Sequence, residues 1–509
     1  MLVIIIISSN NRKKQKNKIT TTYKQMAAAH FTAINGETHS YMTTDIPDCL
    51  KSNSNPQSVK SRNRIFQVSS TSQSQNSGGV ILFNIPPSNY SISKGTMSLR
   101  CRISVTTTAA PTYQTGFAAG CLSFQGASAT PSVYANPPVG AGTAVNASPF
   151  LAEYGNAYSV IQRLTCYGAN SSIIQQSNFL NDEMNAMLYH NTAVGYLQND
   201  ASILLGMGQQ FSTTSATSQY IDVVLPLPLS IFQSSTQNFP CHLLSAPLTI
   251  QIDLASLGRA ILGGGTVAPS EYTVSNTFLL YQAVELPSAM IEAERMAVRS
   301  SPFVMTCTNS LSVQVPQNIL TSYTLGLNAS SIRGVMLLPS SVTTYSVGSQ
   351  VYYLRGCADA NYGTATNGNG SGINAQLYFD GNLINSNICD NVANTYWMMK
   401  QFMHHNIQGS ILQPSPNPPK LSGASAPAGY GGQGANIYCN QMYVVAFDSS
   451  SFDEESTIFG GVPATNVNIQ LSGYGAAVGG ATTNNLVTIV VVYDTLIAFG
   501  EDGTISVKR

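Results

Sequence analysis

GYGGQG, residues 429–434, has the G-x-G-x-x-G spacing that lets a backbone approach a pyrophosphate. That fingerprint works only between a strand and a helix. Here it follows a Pro/Ser-rich loop and precedes a strand-like run. The chain has no G-K-[ST] phosphate loop. His404 and His405 are adjacent, so on a helix they point about 100° apart and do not chelate as an i, i+4 pair would. Asp453, Glu454 and Glu455 read as a solvated acidic loop rather than a cation site. Cys121 or Cys307 could serve as a nucleophile only with an arbitrarily chosen partner. The reading is therefore of a protein that is not an enzyme, with no catalytic, cofactor-binding or metal-binding residues and no cofactor. One charged feature stands apart. Residues 1–64 hold ten Lys/Arg and three Asp/Glu, against thirteen and twenty in the remainder. Arg12, Lys13, Lys14, Lys16, Lys18 and Lys24 make this a basic arm on a mildly acidic body. Such an arm either touches nucleic acid or anionic lipid, or is a solubilising tail.

The rest of the composition points to packing. Only 9% of the 509 residues are charged, against roughly 25% in ordinary soluble domains. Ser, Thr, Asn and Gln supply the polarity instead. Such a surface repels copies of itself weakly and suits a chain that lives packed against them. Nine cysteines are scattered singly, with no C-x-x-C pair, which argues against a secreted disulfide scaffold or a zinc site. Assembly in a reducing cytoplasm or nucleus follows, and the N-x-[ST] matches at Asn89, Asn146, Asn170, Asn328 and Asn369 are then chance. The opening MLVIIIISSNNRKKQKNK is no good signal peptide, because its short apolar run precedes its basic residues. Met26 opens a more ordinary start, leaving residues 1–25 open to being an upstream extension that is not always translated. No segment reaches the roughly 18–20 uninterrupted apolar residues of a membrane-spanning helix.

From about residue 65 the texture is β. MSLRCRISV (97–105) and PLTIQIDL (247–254) alternate apolar and polar residues, the period of a half-buried strand. NTFLLYQAVEL (276–286) and LVTIVVVYDTLIAF (486–499) are longer apolar runs. Short strands broken by Gly, Pro, Ser and Asn predict an all-β sandwich or barrel. Two segments carry a helical stripe instead: FLNDEMNAMLYH (179–190), with Asn181 as a possible cap, and DNVANTYWMMKQFMHH (390–405). These two helices expose a repeat. RLTCYGANSSIIQQSN (163–178) precedes the first and AQLYFDGNLINSNIC (375–389) the second. DVVLPLPLSIFQSS (222–235) is matched by MYVVAFDSSSFDEES (442–456), LTIQIDL by VNIQLSG (467–473), and NTFLLYQAVEL by the LVTIVVVYDTLIAF run. The offsets all fall at about 210–220 residues, which predicts tandem copies of one β-rich domain. Pro226 and Pro228 mark the double-proline stretch as a strand end at a sheet edge that must not pair.

These segments, in this order over two halves, resemble the double jelly-roll major capsid proteins of double-stranded DNA viruses, and within them the Polinton-like virus, virophage and Maverick/Polinton branch. The residues that carry the resemblance are LPLPLSIF, FPCHLLSAPLTIQIDL and FLLYQAVEL in the first half. In the second they are LGLNASSIRGVMLLP (325–339), QLYFDGNLINSN (376–387), MMKQFMHH and VVVYDTLIAFGEDGTISV. The resemblance covers roughly residues 65–505 and implies two tandem eight-stranded jelly-roll sandwiches with short helices in loops. The expected division is a basic flexible arm at 1–64, a first jelly roll at 65–290, a linker at 291–302 that includes the charged IEAER, and a second jelly roll at 303–509. The resemblance also implies a function. Homotrimers with a pseudo-hexagonal outline would tile an icosahedral shell around double-stranded DNA, in the virion, after assembly in host cytoplasm or nucleus. Expected partners are neighbouring capsomers, penton and minor capsid proteins, with the arm contacting genome or an internal membrane. The long connections at 106–150, 340–373 and 408–437 would be outward loops. The alternatives are an RNA-virus coat protein with shell and protruding domains, which predicts dissimilar halves, and a β-sandwich lectin or adhesin, which predicts secretion and paired cysteines.

Overall fold

The computed structural model describes residues 62–107, 150–151, 157–184, 204–206, 211, 219–233, 238–262, 269–316, 320–341, 374–384, 461–472 and 485–508. The 390–405 helix, the MYVVAF segment and most of the three long connections lie outside them.

Alternation in the sequence becomes alternation in burial. In β5 (Ser98–Thr107), Leu99, Cys101, Ile103 and Val105 point inward. In β11 (Leu248–Leu254), Leu248, Ile250, Ile252 and Leu254 do. Successive strand residues face opposite sides of the pleat, so each strand offers one apolar face and needs a second sheet to cover it. The first half does this with β1 (Arg62–Ser69), β13 (Pro269–Glu285), β5 and β9 (Gln219–Pro226) in one sheet, in that order. Facing it are β3 (Val80–Ile85), β11, β7 (Ile161–Tyr167) and β8 (Ile173–Ser177). Short strands β2 (Ser74–Asn76), β4 (Tyr90–Ile92) and β10 (Phe239–Pro240) extend the first sheet, and β6 (Phe150–Leu151) pairs with β12 (Ile261–Leu262).

The second half repeats this order. One sheet runs β14 (Phe303–Pro316), β21 (Asn485–Phe499), β16 (Ala329–Ser341), β19 (Val462–Ala464), and β22 (Ile505–Lys508) folds back on β21. The other runs β15 (Leu320–Leu325), β20 (Val467–Ser472), β17 (Asn374–Phe379), β18 (Asn382–Leu383). Counting eight principal strands in each half among the described residues, the two sheets read first–eighth–third–sixth and second–seventh–fourth–fifth both times. That is the jelly-roll order, and its two copies make a double jelly roll.

Three expectations shift in detail. β1 begins at Arg62, so the last residues assigned to the arm already belong to the first sheet; Arg64 pairs with Glu285 across it at 3.0 Å. The segment read as a linker is a helix, α2 (Ser288–Ser300), preceded by the short α1 (Leu257–Ala260). Ile291, Glu294 and Val298, spaced three and four apart, form the buried stripe of α2. The double proline ends β9, which is the outer strand of its sheet. Beyond Pro226 the chain turns inward rather than lying bare: Leu227 and Leu229 are buried, and the carbonyls of Pro226 and Pro228 accept bonds from the Tyr158 hydroxyl and Gln175. Proline cannot donate to a ladder, so the strand must leave the sheet here.

β21 joins the halves. Residues 488–495 are buried on both faces. Ile489, Val491 and Tyr493 face the core of their own sandwich, while Val490 and Val492 belong to one continuous core with the first sandwich. A strand covered on both sides reads as an unbroken apolar run, which IVVV is.

Candidate functional site

The described residues with the densest unusual chemistry lie along the seam between the sandwiches. β14 lies against β8 and against the turn at Ser230–Phe232. Ser312 Oγ accepts from the backbone N–H groups of Asn178 and Phe179 at 3.0 and 3.1 Å. Ser230 Oγ donates to Asn309 Oδ1 at 2.6 Å, and Ser230 N to Gln175 Oε1 at 2.8 Å. Residues 180–184 form a helical turn at the same place, set by the NDE triplet that favours a helix start. The Asp182 N–H donates to Asn181 Oδ1, and the Asp182 carboxylate accepts from Thr488 Oγ1 at 2.5 Å. Glu183 Oε2 accepts from Ser177 Oγ in the first sandwich and Ser310 Oγ in the second, each at 3.0 Å. Burial pushes the Glu183 carboxyl up from its ordinary 4.5, and the hydroxyls of Ser310 and Ser177 pull it part of the way back.

At another part of the seam the grip is aromatic and hydrogen-bonded. Phe232, Phe239, Phe499 and Phe303 form a chain of rings with centroids 4.9, 5.6 and 5.6 Å apart, the first two from the first half and the last two from the second. His242 pairs with Glu294 of α2, and both are buried. Arg295 donates two bonds to the His242 carbonyl, at 3.1 and 3.0 Å. The β21–β22 turn then closes over the same loop, the Ser245 N–H donating to the Gly503 carbonyl at 3.2 Å. Gly503 has φ +72°, and a Cβ there would sit 2.6 Å from Ser245 N and 2.8 Å from the Leu243 carbonyl oxygen, so glycine is required twice over.

Away from the seam, the outer surface is lightly charged. The guanidinium of Arg102 forks onto Asp222 at 2.7 and 2.8 Å and lies 4.0 Å over the Tyr220 ring. Its hydrogen bond holds the Asp222 carboxyl below the ordinary range. Both side chains are substantially exposed, so solvent screens the pair and it adds little to stability. Ile65, Met296 and Tyr220 are exposed by more than half.

The basic-arm residues Arg12, Lys13, Lys14, Lys16, Lys18 and Lys24 lie outside the described residues, as do GYGGQG, His404, His405, the 453–455 acidic cluster and Cys121. Among the described residues no three His, Cys, Asp or Glu side chains gather as a metal site would need. Cys307 is buried, and burial pushes its thiol up to about 12, which disfavours the nucleophilic thiolate. Cys101 is likewise pushed up to about 12, and Cys166 and Cys241 are raised further, by burial first in each case. We expect all four thiols to resist iodoacetamide in the native protein and to react on unfolding. Peptide mass spectrometry reads this directly, and rapid native labelling of any of them would contradict the packing.

Sequence reading missed the seam. Its signals were present but faint: acidic residues are scarce, 23 in 509, yet Asp182 and Glu183 stand side by side in the apolar-rich segment FLNDEMNAML. Ser and Asn also interrupt the strand TCTNSLS where one face should be apolar.

No protein-family profile matches the chain, and no curated protein does. Solved structures with the same fold do exist. VP54 of PBCV-1, fitted into a reconstruction of the virophage Sputnik, is similar with a TM-score of 0.53 at 10% identity, covering 89% of this chain and 98% of that one. The quasi-atomic PBCV-1 capsid gives 0.51 at 11% identity, covering 89% and 98%. The Faustovirus major capsid protein gives 0.51 at 8%, covering 87% and 91%. The chain thus has the double jelly-roll fold. At these identities the likeness lies in the path of the backbone, and it extends over both sandwiches.

Proposed function

We propose that the protein is the major capsid protein of an icosahedral double-stranded DNA virus, a structural subunit and not an enzyme. The observation that carries this is the repetition of one strand order in two sandwiches sharing a continuous core. A rigid pair of near-equivalent wedges lets three copies present six sides, which paves a closed surface with few open sheet edges. The structures it resembles are capsid proteins, which supports the same role here. Low surface charge makes lateral burial cheap in desolvated ions. The expected partners are two further copies in a homotrimer, neighbouring capsomers, and penton and minor capsid proteins. The arm faces inward to genome or an internal membrane. The setting is the virion, after assembly in host cytoplasm or nucleus. A coat protein with dissimilar shell and protruding domains is disfavoured by the shared strand order.

Light scattering on the purified chain is expected to give three times its 54.1 kDa, and electron microscopy to show pseudo-hexagonal capsomers. Because β1 starts at Arg62, removing residues 1–61 should preserve the trimer while weakening retention of nucleic acid. A monomer that persists at high concentration would overturn the reading.

A further inference from the structure

We propose that Glu183 is a proton-operated lock on the mating of the two sandwiches: the seam closes with its carboxyl neutral and loosens when it is ionised. The geometry is that of a bridge. Glu183 sits on the turn after β8 and accepts one hydroxyl from each half, Ser177 and Ser310. It is buried, and its described partners are hydroxyls, with no cation among them. An ionised carboxylate held this way is poorly compensated, while the neutral acid is tolerated.

Among the described residues, the surrounding elements offer no other titratable group to offset it. β8 carries none, and β14 brings only the protonated Cys307. β21 brings Tyr493 and Asp494, the latter ion-paired to Arg333. β7, behind β8, brings Cys166, Tyr167 and Arg163, with Arg163 paired to Asp253. β22 brings Lys508, which is exposed. The neighbouring Asp182 adds a second carboxylate, turned to Thr488.

The linkage has a definite sign. Opening the seam returns Glu183 to water and to its ordinary proton affinity, whereas the closed seam holds the proton more tightly. Closure therefore gains its full contribution below the ordinary glutamic acid range and loses it as pH rises through the raised value. This holds whether or not the chain forms a shell, because both hydroxyls belong to one polypeptide.

Amide hydrogen exchange on the full chain, corrected for intrinsic rates, tests the lock in the segments 174–183 and 304–312. For the wild type, protection of both is expected to fall several-fold between about pH 5 and about pH 8, with β3 unchanged. Glu183→Gln keeps the size and fixes neutrality. Its seam protection should be flat across that range and exceed the wild type at the upper end. Ser310→Ala removes a donor that favours the ionised form, so its loss of protection should move to higher pH. If Glu183→Gln retains the wild-type profile, or is less protected at both ends, the lock does not exist. Should that variant fail to fold, a Ser310→Ala profile identical to the wild type overturns the proposal equally.

Discussion

Phe499→Ala is expected to destabilise the protein by about 3–5 kcal/mol and to split its denaturant unfolding into two transitions. Phe499 is fully buried and stands between Phe303 and Phe239, the first from its own half and the second from the other. Truncation removes both ring contacts and leaves a cavity that rigid sheets on two sides cannot collapse into. The two sandwiches then lose part of the shared core that makes them unfold together. Urea titration followed by tyrosine fluorescence and circular dichroism checks this, since coincident, unshifted curves would show that the rings do not couple the halves. Phe499→Leu, which refills most of the volume, should recover much of the loss.

Asp494→Ala should cost a similar amount, about 3–5 kcal/mol, for an electrostatic reason. Asp494 is 2% exposed, ion-paired to Arg333 at 2.7 Å and hydrogen-bonded by Ser331 Oγ at 2.6 Å. Removing the carboxylate strands a largely buried guanidinium beside the second core. The double variant Arg333→Met, Asp494→Leu leaves no charge stranded and should regain more than half of the loss, because the desolvation cost of a buried pair cancels most of its attraction. Thermal melting of the three proteins decides the matter. A double variant as unstable as the single one would mean that the pair supplies stability beyond mutual compensation.

The sequence was most readable where one strand has one buried face. SLRCRISV and LTIQIDL alternate because each covers a single core, and both are strands with those residues inward. The repeat was readable for related reasons: RLTCYG and AQLYFDG are the fourth strands of their sandwiches, LTIQIDL and VNIQLSG the seventh, and NTFLLYQAVEL and LVTIVVVYDTLIAF lie in the eighth. MYVVAF, matched to the sixth strand of the first half, lies outside the described residues; among those described, the strand beside β16 is Val462–Ala464. The seam escaped because its partners are remote. Glu183 and Ser310 are 127 positions apart, Asp182 and Thr488 306, and no local period encodes such a pairing. IEAER looked like a tether because its one buried acid answers to His242, 52 positions earlier. The basic arm was legible as charge alone.

The pairing of β14 with β21, from Phe303↔Phe499 to Pro316↔Leu486, sets an order of events on the ribosome. The strands of the first sandwich described here have all been made once Glu285 emerges, but β14 has no strand to pair with among the described ones until β21 follows it out. At about 5–20 residues per second that wait lasts roughly 10–40 s. Throughout it, Phe239 stands without the Phe499 ring that later packs on it. Crowded polysomes would bring several such chains together, and the scarcity of charge that later suits close packing gives them little to keep one another apart.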